Sequence, residues 1–155
     1  MKKIVFLKDF AEISSKITKK SKVLVGGCFD LLHYGHLIFL SKAKREGDFL
    51  IIVLESDEFI KMRKKRQSIH NQAQRAEILA ALEFVDLVIR LPLLRSDSDY
   101  SKLINSVKPR VIAITEGDPQ RKNKEQQAKE VGARIRIVTT LIEGFSSRNI
   151  LKKLD

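Results

Sequence analysis

Two of the three histidines in this 155-residue chain, His33 and His36, stand three residues apart in the stretch VGGCFDLLHYGH, Val25 to His36. A short apolar run ends there in Gly26 and Gly27, and helical spacing begins at His36. An HxxH pair at the start of a helix puts both imidazoles on one face, beside free backbone amides and the positive end of the helix dipole. Such a place suits phosphate. Paired glycines let backbone approach a ligand closely, because no Cβ intervenes. A lone histidine there would read as a cap or a surface residue; two flanking Gly35 after a glycine-rich strand end ask for a ligand. Zinc is the weaker alternative, since no nearby cysteines or carboxylates complete a set. Neither a Walker A loop nor a GxGxxG fingerprint is present in the chain.

The elements that must position this turn alternate regularly. KVLVGG, FLIIVLES, VDLVIRL, RVIAIT and ARIRIVTT read as five short apolar strands. Between them lie helical stretches from His36 to Arg45, over QAQRAEILAALEF, over SDYSKLINSV and over RKNKEQQAKEVG, with SSRNILKKL closing the chain. Residues 8–20 read as a short amphipathic helix ahead of the first strand. Apolar strands separated by helices predict a Rossmann-like, doubly wound α/β fold: a parallel five-stranded sheet with helices on both faces. The expected organisation is one domain over 1–155, with a helical lead-in at 1–21 and a core at 22–155. Ligands in such folds sit beyond the carboxyl ends of the strands, where strand order reverses, and Gly26–Asp30 is one such end.

Composition narrows the classes. An apolar fraction of 43% fits a globular chain. No apolar run approaches about 18 residues, so no membrane span is expected. Cys28 is the only cysteine, which excludes an internal disulfide and makes the cytosol the default compartment. The formal net charge of +11 fits polyanionic small substrates, nucleic acid or a solubilising surface. Nucleic acid is disfavoured, because no aromatic residues interleave with basic clusters such as KMRKKR.

GGCFDLLHYGH resembles the HxGH region of the cytidylyltransferase-like nucleotidyltransferase superfamily, whose members join a nucleoside triphosphate to a phosphorylated acceptor and release pyrophosphate. LSKAKREGDFLIIVLESDE is similar to that superfamily's next helix and strand, RAEILAALEFVDLVI to the helix and strand after them, and GFSSRNILKKL to its C-terminal hydroxyl-rich phosphate motif. Within it the chain is most similar to the adenylyltransferase domain of the ADP-heptose synthase family. Glycerol-3-phosphate cytidylyltransferase (FDLLH, SDEF) is the near rival, and archaeal FAD synthases show a similar turn. Gly26 stands where the heptose family usually has asparagine. MRKKRQSI and TEGDPQ replace its Leu-Lys-Gly, Arg-Pro and Lys-Gly-Gly-Asp-Tyr elements, which keeps the transfer chemistry and changes the acceptor segments. The resemblance implies transfer of a nucleoside monophosphate, from ATP or alternatively CTP, to a phosphorylated small molecule. Heptose 1-phosphate, glycerol 3-phosphate and FMN are the candidate acceptors, and homodimerisation is common in the superfamily.

The resemblance also distributes roles. His33 and His36 would hold the triphosphate, bonds that would raise their pKa. Lys22 would offer a point charge to the α-phosphate or the acceptor. Gly26, Gly27, Cys28, Phe29, Asp30 and Gly35 would form the phosphate-binding turn, with Asp30 fixing the loop by accepting amides and Cys28 packing. Lys61, Arg63 and Lys64 are candidates for a basic lid. Arg75, Glu116 and Asp118 would border the nucleotide. Ser146 and Ser147 would hold the outer phosphates at the last helix, with Arg148 beside them. No dedicated metal site is expected; Mg²⁺ would arrive on the nucleotide. His70 is expected at the surface. A non-catalytic nucleotide sensor is the reading from a different class.

Overall fold

The computed structural model describes residues 1–141 and 144–154. Six strands form one sheet: β1 Ile4–Phe6, β2 Lys22–Gly27, β3 Phe49–Leu54, β4 Leu87–Arg90, β5 Val111–Thr115 and β6 Arg134–Thr139. Their order is β1-β4-β3-β2-β5-β6, and all the pairings are parallel. The helices are α1 Phe10–Ser14, α2 Tyr34–Lys44, α3 Asp57–Lys64, α4 Gln72–Ala80, α5 Asp97–Val107, α6 Arg121–Val131 and α7 Ser147–Leu154.

Side chains alternate across a strand, and here the alternation divides the core into two layers. Val23, Val25, Leu50, Ile52 and Leu54 pack with Leu40 and Ala43 of α2 and with Ala76 and Leu79 of α4. Leu24, Ile51, Val53, Ile112 and Ile114 pack with α1, α5 and α6 through Phe10, Ile13, Leu103, Ile104, Val107 and Ala128. With both faces covered, β3 is buried at every residue, as its unbroken apolar run requires. Each such buried Leu or Ile stabilises the fold by roughly 1.5–3 kcal/mol.

The doubly wound fold is as expected; the strand count is six rather than five. The extra strand, Ile4–Phe6, pairs with β4 at the sheet edge and is too short to show a period. The segment expected as one helix over 8–20 is instead two 3₁₀ turns flanking the single-turn α1. Phe10, Ile13 and Ile17, spaced by three and four, still face inward. The helix expected to reach Phe84 stops at Ala80, where the amides of Leu82 and Val85 close tight turns onto Leu79 and Leu82. Helix α3, absent from the sequence reading, has one buried residue, Ile60, and is marked by the Ser56 side chain accepting from the Phe59 amide at 3.1 Å.

One detail of register makes the site. β2 pairs with β3 along six residues but with β5 only at Val23 and Leu24. The chain crosses from one half of the sheet to the other between β4 and β5, so this is the switch point of the topology. Beyond Leu24 the two strands part, and Gly26 and Gly27 border a crevice.

Candidate active site

The crevice has a volume of about 370 Å³. Gly26, Gly27, Cys28 and Phe29 form one wall, His33, Gly35 and His36 the adjoining helix start, and Ser146, Ser147 and Arg148 the other side; Lys64 and Asp118 lie at its edge. Two helix N-termini, of α2 and α7, thus meet one cavity. Both dipoles favour an anion there.

The histidine turn is built locally. His33 is extended (φ −135°, ψ 175°) and caps α2, its Nδ1 accepting from the His36 amide at 3.4 Å. With Nδ1 accepting, the ring proton of a neutral His33 sits on Nε2. The two rings stack at 3.7 Å between centroids, and His36 meets Phe29 edge-on at 5.0 Å. Gly35 allows this: a Cβ there would stand 3.0 Å from the His33 ring and 3.2 Å from the Phe145 carbonyl. Phe29 is left-handed at φ 46°, and its ring lies where a Cβ on Gly27 would fall, at 2.9 Å.

Burial lowers the pKa of both rings in the free protein, and His36, packed against the His33 ring and near the Lys64 ammonium, falls to about 3. Both are therefore neutral at pH 7. His36 Nδ1 is buried and has no partner among the described residues. An unpaired buried nitrogen is costly and invites a ligand.

At the far side, Ser146 caps α7, its Oγ accepting from the Asn149 amide at 3.1 Å, while the buried Ser147 hydroxyl reaches the Leu31 carbonyl at 3.4 Å. Asp118 pairs with Lys124 at 2.7 Å. Among the described residues no cluster of three His, Cys, Asp or Glu could hold a metal ion.

Several expected residues lie elsewhere. Lys22 begins β2, five residues from Gly27, about 16 Å at the ~3.3 Å rise of a parallel strand. Its buried ammonium is held below the usual lysine range by desolvation and then by Lys108, and it is at the wrong end of the strand to touch a nucleotide in the crevice. Its place as the first residue of KVLVGG puts it at the amino end of a parallel strand, away from the carboxyl end where a ligand sits. Glu116 is exposed outside the crevice, as is Lys61 on α3. Arg63 faces a neighbouring cavity, and Arg66 pairs with Asp30. The run KMRKKR therefore divides among different tasks.

Arg75 does not line the crevice. It is 1% exposed and donates to the Cys28 carbonyl at 2.6 Å, the His70 carbonyl at 3.1 Å and Asp57 at 2.6 Å. It braces the strand end from beneath. Asp30, also buried, accepts from the Ile69 and His70 amides at 2.9 and 3.3 Å, so it fixes a distant loop rather than its own. His70 is half-buried, not at the surface as expected, because its main chain joins this network. Lys124, Thr115, Thr139 and Phe39 also line the crevice and were missed. Lys124 lay within a helix that reads as solvent-facing, and only the fold brings it to the strand ends.

Known proteins agree with this architecture. The cytidylyltransferase-like family model matches residues 24–150. A bifunctional protein HldE from Nitratiruptor is 37% identical over 155 residues, covering 96% of this chain and 32% of that protein. An FAD synthase from Thermococcus onnurineus is 42% identical over 114 residues, covering 73% of this chain and 72% of its own. The chain thus spans about a third of one relative and most of the other. A lipopolysaccharide core biosynthesis protein from Thermoplasma volcanium superposes with a TM-score of 0.63 at 23% identity, over 79% of this chain and 97% of its own. A pantoate-beta-alanine ligase from Francisella tularensis superposes at 0.71 and 22%, over 96% and 72%. The two structures show likeness of fold.

Proposed function

From the premise that this chain belongs to the cytidylyltransferase-like nucleotidyltransferases, we propose that it transfers the adenylyl group of ATP to a phosphorylated small molecule. The observation that carries this is the convergence of the stacked His33–His36 pair and the serine-capped start of α7 on one crevice. ATP is taken as donor because the relatives the chain matches include an HldE and an FAD synthase; heptose 1-phosphate and FMN are the corresponding acceptors. The absence of any described helix long and apolar enough to cross a membrane, together with a free Cys28, fits action on dissolved metabolites in the cytosol.

The chemistry requires little of the protein beyond placement. An acceptor phosphate oxygen, already ionised at pH 7, attacks the α-phosphorus; the bond from that phosphorus to the bridging oxygen breaks, and pyrophosphate leaves with its electron pair. No general base is needed. Charge grows on the equatorial and leaving oxygens, so donors preorganised around them do the catalysis. His33 Nε2–H and His36 would bond the triphosphate, Lys64 would add charge at the rim, and the α7 amides with Ser146 and Ser147 would receive the outer phosphates. Mg²⁺ enters as part of the MgATP substrate.

The test is pyrophosphate release from ATP, CTP, GTP and UTP, each paired with heptose 1-phosphate, glycerol 3-phosphate and FMN in the presence of Mg²⁺. Release with ATP and one acceptor supports the proposal. Release with CTP alone would overturn the choice of donor. ATP binding with no turnover for any acceptor would favour a nucleotide sensor.

A further inference from the structure

A second cavity of about 380 Å³ adjoins the first across the strand end, sharing Gly26, Gly27, Cys28 and Lys124 with it. Its floor is apolar: Leu24, Val53, Leu103, Ile104 and Ile112, all buried, with Phe59 at one side. Into this floor projects one buried carboxyl, Glu55 at the end of β3. Tyr100 of α5 donates to its Oε1 at 2.7 Å, and Oε2 has no partner among the described residues. The remaining polar groups of its lining are Arg63, Asp97, Gln120 and Asn123, all exposed, and Lys124 and Gln127, half-buried.

Resting on the nucleotidyl-transfer reading of the adjoining crevice, we propose that this cavity holds the body of the acceptor, that Glu55 Oε2 reads a polar edge of it, and that the acceptor is a phosphate ester of a flat, largely apolar ring system, of the FMN class rather than a sugar phosphate. Three observations combine. Lys124 is common to both cavities, so an acceptor lying in the second can present its phosphate at the first. A sugar phosphate would lay several hydroxyls on an apolar floor, each losing water without gaining a partner. A planar ring covers that floor with carbon and needs only a few polar contacts at its edge, which Glu55 and Tyr100 can supply.

The carboxyl is suited to such a task. Burial pushes its pKa upward, while the Tyr100 hydroxyl opposes this. In its protonated form Glu55 can donate to a ring carbonyl; in its ionised form it accepts from a ring N–H. Either way the orphaned oxygen gains its partner only when the acceptor is bound.

The experiment is fluorescence quenching of FMN by the full chain, without ATP, alongside calorimetric titration with MgATP. Wild type is expected to quench FMN saturably and to release pyrophosphate from ATP with FMN faster than with heptose 1-phosphate or glycerol 3-phosphate. Glu55→Leu should weaken FMN binding roughly tenfold to a hundredfold, the usual cost of removing one buried polar partner, with MgATP affinity unchanged. Glu55→Gln, which keeps the shape and the hydrogen bonds, should stay within a few-fold of wild type. If Glu55→Leu fails to fold by circular dichroism, Tyr100→Phe carries the test, since it leaves Oε1 unpaired and should weaken FMN but not MgATP. MgATP binding without FMN quenching, or quenching unaffected by these substitutions, overturns the assignment and leaves the nucleotidyl-transfer reading standing. Loss of MgATP binding in wild type would instead remove that reading itself.

Discussion

Acidification should act on this fold through His36. Its folded pKa is about 3, against an ordinary value of 6.5, because burial and neighbouring positive charge disfavour the imidazolium. The unfolded chain therefore binds a proton between these values and the folded chain does not. Stability contributed by the neutral ring is complete above pH 6.5 and is lost as pH falls. At pH 5 the unfolded state is 1.5 units below its histidine pKa, and at about 1.36 kcal/mol per unit the loss relative to pH 7 is about 2 kcal/mol. That figure is set by the unfolded value while the folded pKa stays well below 5.

Urea unfolding of wild type and His36→Gln at pH 7 and pH 5 isolates this contribution, since other groups titrate in both proteins. Wild type should lose about 2 kcal/mol more than the variant between the two pH values. His33, whose pKa is lowered by its own burial, adds in the same direction but is present in both. Equal losses in the two proteins would show that the ring is hydrated and free to charge, and the picture of a dry, neutral histidine pair awaiting its anion would be wrong. MgATP should shrink the difference, because bonds to phosphate favour the charged ring.

Three shorter expectations accompany it. His36→Ala should lower pyrophosphate release by roughly a hundredfold, as loss of a preorganised donor does, and unchanged turnover would end the assigned mechanism. Lys64→Ala should raise KM for ATP, an effect fading at high salt, whereas Lys61→Ala, outside the crevice, should match wild type in the same steady-state assay. Gly47→Ala should destabilise the fold by roughly 1–3 kcal/mol in thermal or urea unfolding through overpacking. Its Cβ would fall 2.4 Å from the Ser21 carbonyl, the very oxygen that receives the Asp48 and Phe49 amides where β3 begins.

How far the sequence could carry this differs between the sheet and the site. Five strands were legible because their apolar runs are long and bounded; Ile4–Phe6 was not, because three residues carry no period and its pairing with β4 is a purely tertiary choice. The histidine turn was legible because its parts are contiguous: a glycine pair, an HxxH spacing and a helix start. The basic run was not. Lys61, Arg63, Lys64 and Arg66 differ only in where helix α3 and its exit point them, and Lys65 ends that helix in a left-handed turn at φ 55°. Lys22 is a different case: as the first residue of KVLVGG it was already legible at the amino end of the strand, away from the carboxyl end where a ligand sits. Glu55 and Tyr100 stand 45 residues apart and meet only through the packing of α5 against the sheet.

Arg75 and Asp30 show where the cost of the site is met. The turn from Gly27 to Asp30 holds Phe29 in the left-handed region, which for a bulky residue costs on the order of 1–2 kcal/mol. A turn under such strain would relax unless its neighbours were held. Arg75 grips the Cys28 carbonyl on one side of Phe29 and carries the pull to Asp57 and the His70 carbonyl. Asp30 on the other side accepts the Ile69 and His70 amides and pairs with Arg66. Both clamps therefore reach one segment, residues 66–70, and Arg75 anchors on Asp57 besides. The strained phenylalanine in turn supplies the ring edge against which His36 stands. Catalysis by preorganised donors depends on their not moving when charge develops, and in this chain that rigidity is delivered by two buried charges placed one residue to either side of the strain.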